Sequence, residues 1–417
     1  MAQELQVHLY GAQLGSVRQD DYGRRTFTYD ADYAQDAAMP PLSLSMPVGR
    51  ATYTAKVIDP FMWGLLPDHE DVRAEWARHF GVSADNPFAL LRRVGRDCAG
   101  GATFAGPDGD DEPSQAVPMS DTEIGERLRD LRRDPVGWAV SGERWSLAGA
   151  QSKFTLAQLP SGQWVETRGQ LPSTHILKPG ISEYRDQALV EHVSMSAARL
   201  LGLRAAKTEF REFAGEPALV VTRFDRRRAR DGSIVRVHQE DACQALGVYP
   251  HRKYEASGGP SAAAVARLLR DNATDGEADV WEFAQALVFN YLIGAPDAHA
   301  KNYSIAHVPG LMRIAPLYDV ASALPYDGSA GTEIGLSAMS IGGRRAFGTV
   351  AGRHWDRLAD QVGVDRGRLR DEVSRQAGEI PAHVFHELED FAAIELRDRM
   401  MPRLEQLCAA SVGMLRD

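Results

Sequence analysis

Residues 293–320 read IGAPDAHAKNYSIAHVPGLMRIAPLYDV. Asp297, His299, Lys301 and Asn302 fall within six positions, at the end of a stretch whose apolar residues recur at helical spacing. That stretch, DVWEFAQALVFNYLIG, puts Trp281, Ala284, Leu287, Val288, Tyr291 and Leu292 on one face, so a buried helix delivers the polar cluster. Beyond Asn302, two strand-like pieces flank Pro309 and Gly310. Proline presets the first turn dihedral and glycine accepts the positive one, so the chain is expected to fold back as a hairpin and return Asp319 towards Asp297 and Asn302. An Asp, an Asn five residues on and a second Asp after a hairpin suit phosphoryl transfer. One carboxylate takes the proton of the attacking hydroxyl, while an amide oxygen and the second carboxylate hold Mg2+.

Such a reaction also needs a phosphate cradle and a lysine upstream, and the sequence offers both. SLAGAQSKF, residues 146–154, carries Ala148, Gly149 and Ala150, small enough for backbone N–H groups to approach phosphate oxygens. THILKP is a β-type run ending on Lys178, a point charge for the α/β-phosphates, and Glu191 in the next helix is its expected ion-pair partner. ALVVTRFDR runs into Thr222, Arg223 and Phe224, where two lobes would join and an adenine edge could meet backbone groups. Each signal alone is weak, and SLAGAQSKF matches neither common glycine-rich phosphate fingerprint. Their order along the chain carries the weight.

Composition agrees with a globular chain of two or three domains: 417 residues, 44% hydrophobic and 25% charged. The net charge of -10, from 57 acidic against 47 basic residues, argues against a polyanion binder acting alone. Cys98, Cys243 and Cys408 are far apart, with neither disulfide nor zinc spacing, as suits a reducing cytosol. MAQELQVHLYG lacks a secretory pattern and FAQALVFNYLIGA falls short of the ~20 residues of a membrane span, so a cytoplasmic location is expected.

The first hundred residues alternate strand-like pieces with a helix opening on Asp68 and closing at Gly81, a small α+β unit. GPDGDDEPSQAVP from Gly106 has linker composition. A helix follows with Ser120 as N-cap and Glu123 completing a capping box. Strands then dominate, interrupted by a helix over roughly Tyr184 to Leu201, and from about Ala242 the chain turns helical. The expected fold is α+β and protein-kinase-like: an accessory subdomain over 1–135, a strand-rich N-lobe over 136–242 and an all-helical C-lobe over 243–417.

SLAGAQSKF, THILKP, RFDR, QEDACQALG, IGAPDAHAKNYS and APLYDVASALP, in this order, resemble the HipA kinase toxins of bacterial toxin-antitoxin systems. PLSLSMP, LLPDHEDVR, NPFALL and GRDCAGGATF resemble that family's amino-terminal subdomain, so the likeness spans nearly the whole chain. It implies a Ser/Thr protein kinase using ATP and Mg2+. Asp297 would be the catalytic base, Asn302 and Asp319 the Mg2+ ligands and Lys178 the phosphate-binding lysine. Leu147, Ala148, Gly149, Ala150, Gln151, Ser152 and Lys153 would form the nucleotide loop, with Thr222, Arg223, Phe224, His299 and Lys301 also at the nucleotide. Ser146 falls on the regulatory serine whose autophosphorylation withdraws that loop. The resemblance further implies a small HipB-like helix-turn-helix antitoxin that carries most of the DNA contact. It also implies growth arrest and persistence through phosphorylation of a translation component, glutamyl-tRNA synthetase being the best-known target. Pro296 and Ala298 depart from the Thr or Asn and the Gly that relatives often place around the aspartate, Ser152 is a second phosphorylatable serine, and the match fades by eye from about Gly342.

Plainer readings stand beside these. His299 is expected to brace the loop, Lys301 to contact the γ-phosphate or only solvent, and Gln239, Glu240 and Asp241 to start a helix. HVFHELED, with His383, His386, Glu387 and Asp390, reads as a solvated helix face and not a metal site, and DRRRARD from Asp225 as a charged hairpin tip. The alternative functions are a catalytically silent nucleotide-binding co-repressor and a kinase of a non-protein substrate.

Overall fold

The computed structural model describes residues 3–36, 38–50, 52–106, 113–135, 145–326 and 335–416. Part of the expected linker, 107–112, and the expected start of the N-lobe, 136–144, lie outside them. Contacts divide the chain into two units. The first comprises Met1–Ser182, Arg211–His251 and Ile305–Met312; the second comprises Glu183–Phe210, Arg252–Ser304 and Arg313–Asp417.

The first unit opens with an antiparallel five-stranded sheet in the order Thr52–Thr54, Arg25–Tyr29, Ala12–Gln19, Gln3–Leu9, Thr103–Ala105. Alternation along the strands points Leu5, Val7, Leu9, Val17 and Phe27 into one core, which Phe61, Trp76, Phe88 and Leu91 of three short helices close. The helix expected to open on Asp68 spans Glu70–Phe80 instead, with His69 as N-cap and Gly81 as C-cap in the left-handed conformation at φ 63°. The first helical bond runs from the Arg73 N–H to the His69 carbonyl at 3.3 Å, while the Asp68 N–H donates to the Gly149 carbonyl, 3.1 Å away. The helix Asp121–Arg133 begins as expected: Ser120 Oγ accepts from the Glu123 N–H and Glu123 Oε2 accepts from the Ser120 N–H. It lies beside a six-stranded sheet ordered Thr208–Phe213, Glu216–Thr222, His175–Lys178, Phe154–Gln158, Trp164–Arg168, Gln115–Met119.

The second unit is built on Gly276–Leu292, which Ala262–Asn272, Arg366–Asp390 and Ile394–Gly413 surround. This central helix is buried almost all round; Val280 and Phe283 are fully buried, whereas Trp281, expected on the inner face, is half-buried beneath the Arg368 guanidinium at 3.7 Å. The other long expected helix runs Gln187–Leu200. A two-stranded ribbon, Leu336–Ile341 with Arg344–Ala346, accompanies the helices. No helix among the described residues is long and apolar enough to cross a membrane.

The hairpin after Asn302 forms as expected, Ser304–Val308 against Leu311–Ile314, and joins His238–Asp241 in a three-stranded sheet. Residues Ile305–Met312 of it belong to the first unit, where the tip at Pro309 and Gly310 is exposed but His307 sits among buried polar groups. Glu240, expected only as part of a helix start, accepts from Ser43 Oγ at 2.5 Å and from the Leu44 N–H at 2.8 Å, and His307 Nε2 lies 3.0 Å from it. His238 Nε2 donates to the Leu42 carbonyl at 2.9 Å, and burial pushes its pKa down from 6.5 to about 3. Folded His238 therefore refuses a proton that the unfolded chain accepts, so its contribution to stability is full above pH 6.5 and lost as pH falls towards 3. Between pH 7 and pH 5 the loss should be about 2 kcal/mol. Urea denaturation of His238→Gln, whose side-chain amide can still donate to Leu42, should show a pH dependence flatter than wild type by that amount; equal slopes would contradict it.

Candidate active site

The central helix stops where the polar cluster begins. Gly294 takes φ 70°, and the Gly294 and Ala295 N–H groups close back onto the Tyr291 and Asn290 carbonyls. A side chain at Gly294 would meet Leu324 at 2.6 Å. The loop that follows is tied internally: the Asp297 carbonyl accepts from the His299 N–H and from Asn302 Nδ2, each at 2.8 Å. Ala298, His299, Ala300, Lys301 and Asn302 are all buried, but the Asp297 side chain is 61% exposed. A loop folded around its own backbone thus presents one carboxylate outward. With its amide nitrogen engaged inside the loop, Asn302 has Oδ1 as the atom to offer a ligand.

The segment carrying Asp319 is fastened to the same unit at both ends. On one side Leu317 pairs with Ala205, while Arg204 forks onto Glu282 at 2.5 and 2.7 Å and donates to the Ile314 carbonyl. On the other, Ser322 Oγ donates to Ile293 O and the Ala323 N–H to Gly294 O, the residues just before the catalytic-type loop. Tyr318 OH donates to the Lys301 carbonyl at 2.6 Å. Asp297, Asn302 and Asp319 are therefore carried by segments bonded to one another. Asp319 has φ 60°, a left-handed conformation that aspartate tolerates better than most residues and that clusters at functional sites.

In the first unit, Ala148, Gly149, Ala150 and Gln151 form the tip of the expected nucleotide loop, half-buried except for the exposed Ala150, and Gly149 takes φ 103°. Leu147 points into the core instead. The loop is closed by Lys153 Nζ donating to Ala148 O at 2.6 Å and is paired with Pro67 through Gly149. Neither candidate serine is presented. Ser146 is fully buried with Oγ donating to Leu65 O at 2.7 Å, and Ser152 Oγ donates to Pro135 O at 2.9 Å. Lys178 ends its strand opposite Leu219 and is 5% exposed. Glu191 belongs to the second unit, buried in its helix, where it accepts from Gln187 Nε2.

Thr222 pairs with His175 at the end of its strand and Phe224 is half-buried. Arg223 is expected to face the nucleotide through its backbone, and its side chain is committed elsewhere. It forks onto Asp225 at 2.9 Å twice and reaches Ser173 Oγ, Cys98 O and Asp97. Arg226 adds bonds to Asp97 and to the Gly100 carbonyl. Burial raises the pKa of Asp97 and Asp225, but the surrounding arginines outweigh it and hold both carboxyls below their ordinary range.

Family models match both parts of the chain: the HipA N-terminal domain over residues 5–105 and the HipA-like C-terminal domain over residues 145–384. The chain belongs to the HipA family. It is 36% identical to "Putative kinase Y4mE" of Sinorhizobium fredii, over 93% of this chain and 92% of the relative. It is 31% identical to "Serine/threonine-protein kinase toxin HipA" of Shewanella oneidensis, over 90% of this chain and 87% of the relative. The solved Shewanella oneidensis HipA, in complex with HipB and its operator DNA, superposes with a TM-score of 0.85 at 27% identity, covering 99% of this chain and 98% of that one. The α+β, kinase-like fold follows. The HipA likeness does not fade at Gly342, since the C-terminal family model runs on to residue 384.

Two features of this HipA-family site escaped reading from sequence. Tyr254, in the segment HRKYEASGG, donates from its hydroxyl to Asp297 Oδ1 at 2.6 Å, and only the Gly258–Gly259 turn hints at a tight, placed loop. Asp97 lies in GRDCAGG, where nothing local shows that its partners are Arg223 and Arg226. No group of three or more His, Cys, Asp or Glu residues among the described residues is arranged to hold a metal, and His386 is exposed on its helix near Asp390, as expected of a solvated face. Asn302 and Asp319 offer hard oxygen donors of the kind Mg2+ prefers when it keeps phosphate oxygens or waters as its other ligands.

Proposed function

We propose that this HipA-family protein is an ATP-dependent Ser/Thr protein kinase toxin that acts in the cytoplasm. The observation that supports it best is the exposed Asp297 carboxylate on an otherwise buried loop, with Asn302 tied to the Asp297 carbonyl and Asp319 in the left-handed conformation. Asp297 accepts the proton of the acceptor serine as its oxygen bonds to the γ-phosphorus; the bond to the β–γ bridging oxygen breaks and ADP leaves. Bound Mg2+ neutralises charge on the phosphates, and Asn302 and Asp319 are the residues that hold it. Lys178 contributes a positive charge to the α/β-phosphates, and the N–H groups of Ala148 to Gln151 cradle the phosphate tail. Thr222 to Phe224 contribute backbone groups, not the Arg223 side chain, to the adenine. His299 and Lys301 keep the loop in shape from within.

The acceptor is a serine of a translation-related protein, with glutamyl-tRNA synthetase the first to try, and its modification halts growth and gives persistence. A HipB-like antitoxin restrains the kinase and carries it to operator DNA; a chain of net charge -10 is suited to reaching DNA through a partner. Autophosphorylation at Ser146 supplies a second restraint. A phosphate cannot sit on an oxygen buried against Leu65 O, so the modified serine and the observed loop placement exclude each other.

The test is intact mass and phosphopeptide mapping of wild type and Ser146→Ala before and after incubation with Mg2+ and ATP. A phosphoryl group gained by wild type at Ser146 and absent from the variant supports the kinase and its switch; modification mapped to Ser152 in Ser146→Ala moves the switch there. Nucleotide binding without any transfer favours the silent co-repressor, and no binding removes the kinase reading.

A further inference from the structure

Asp297 is exposed, yet it is not left to rotate. The Tyr254 hydroxyl donates to its Oδ1 at 2.6 Å, and His299 Nε2 lies 3.8 Å from the same oxygen. Tyr254 is itself held in place. Its ring meets His299 edge-on with centroids 5.0 Å apart, and its two neighbours anchor the segment. The Lys253 carbonyl accepts from the Ala300 N–H inside the Asp297 loop, and the Glu255 carboxylate accepts from the Ser340 N–H at 2.6 Å and from Ser340 Oγ at 3.0 Å. Gly258 at φ 77° and Gly259, where a Cβ would lie 2.0 Å from Arg252 O, close the turn behind it.

We propose that Tyr254 is a positioning residue for phosphoryl transfer, gripping Oδ1 of Asp297 so that Oδ2 is the oxygen that receives the acceptor's proton. A carboxylate turns about its last torsion at little cost, whereas a proton-accepting oxygen has to meet the attacking hydroxyl within hydrogen-bond reach in a fixed direction. A charge-assisted hydrogen bond to one oxygen fixes the plane of the group and aims the other. The 61% exposure of the Asp297 side chain with this bond in place shows that the phenol does not cover the carboxylate. The ring serves by its hydroxyl, and the packing against His299 holds that hydroxyl still.

This inference rests on the kinase reading and is tested together with it by Tyr254→Phe, which keeps the ring and removes only the donor. ADP release with Mg2+, varied ATP and dephosphorylated casein as acceptor gives kcat and KM; thermal unfolding and binding of a non-hydrolysable ATP analogue are followed in parallel. The expected result is a kcat about tenfold lower, with KM for ATP, analogue affinity and thermal midpoint unchanged. Tyr254→Leu, which also removes the packing, should lose more kcat and some thermal stability. A Tyr254→Phe enzyme equal to wild type would reduce Tyr254 to packing, and a faster one would make the phenol a block on the base; either overturns the proposal and leaves the kinase reading standing. A wild type that binds the analogue but releases no ADP with casein and takes no phosphoryl group on its own serines overturns both.

Discussion

Arg223→Met will lower the stability of the protein by about 3–5 kcal/mol, the range for breaking a buried ion pair from one side. The Arg223 side chain is 1% exposed and faces Asp225 and Asp97, whose side chains are 4% and 8% exposed. Methionine replaces its volume but none of its donors, so Asp225 keeps Arg226 as its one remaining cation beside the Gly100 N–H and Gln239 Nε2, and Ser173 Oγ and the Cys98 carbonyl each lose a partner. Removing one member of such a cluster costs far more than the cluster contributes as a whole, because the desolvated charge left behind has nowhere to go. Urea denaturation measures the difference, and Arg366→Ala is the contrast: its pair with Asp360 is solvent-exposed on both sides, and its loss should leave the denaturation midpoint nearly unmoved. Acid makes the same point from the other direction. Asp97 and Asp225 are held below their ordinary pKa, so their contribution is complete above the unfolded value of about 4 and is lost as pH falls below it. Wild type should therefore lose stability steeply below pH ~4, and Arg223→Met less steeply. Equal denaturation midpoints for wild type and Arg223→Met would show that the network is not what joins the residues around Asp97 to the strand that ends at Thr222.

That network shows where reading a sequence stops. Motifs whose parts are neighbours along the chain were legible: the capping box of Ser120 and Glu123, the turn at Pro309 and Gly310, and the five-residue step from Asp297 to Asn302 are local chemistry. Arg223 and Asp97 are 126 residues apart, Ser43 and Glu240 are 197 apart, and a local pattern assigns no partner at such distances. Arg223 in RFDR was read for its backbone, at the end of an apolar strand where an adenine edge could lie, and nothing local showed that burial commits its side chain to carboxylates. Periodicity also misled for the central helix. A helix buried almost all round has no single apolar face, so counting one face put Trp281 inside and passed over Phe283 and Val280. Tyr254 was missed because a lone aromatic in a loop reads as packing unless its partner is known.

Asp297→Asn and Asp319→Asn are both expected to abolish useful phosphoryl transfer, and they should do so by different routes. Asparagine at 297 keeps the shape and the Asp297 carbonyl that binds Asn302 and His299, so the loop stays folded. What it loses is the proton acceptor, a group that typically supplies about 10²–10⁴-fold in rate. Binding of a non-hydrolysable ATP analogue with Mg2+ should be unchanged. At 319 the φ of 60° suits asparagine as well as aspartate, so the fold again survives, but a neutral amide replaces the anionic oxygen proposed for the metal. Analogue binding measured across a Mg2+ series should then shift to higher Mg2+ concentration, with transfer lost at the level that saturates wild type. If Asp319→Asn kept the wild-type Mg2+ dependence, the metal would have to be held by other groups, and if Asp297→Asn kept its rate, the exposed carboxylate would not be the base. The two variants separate because one carboxylate acts on the acceptor's proton and the other on the charge of the donor.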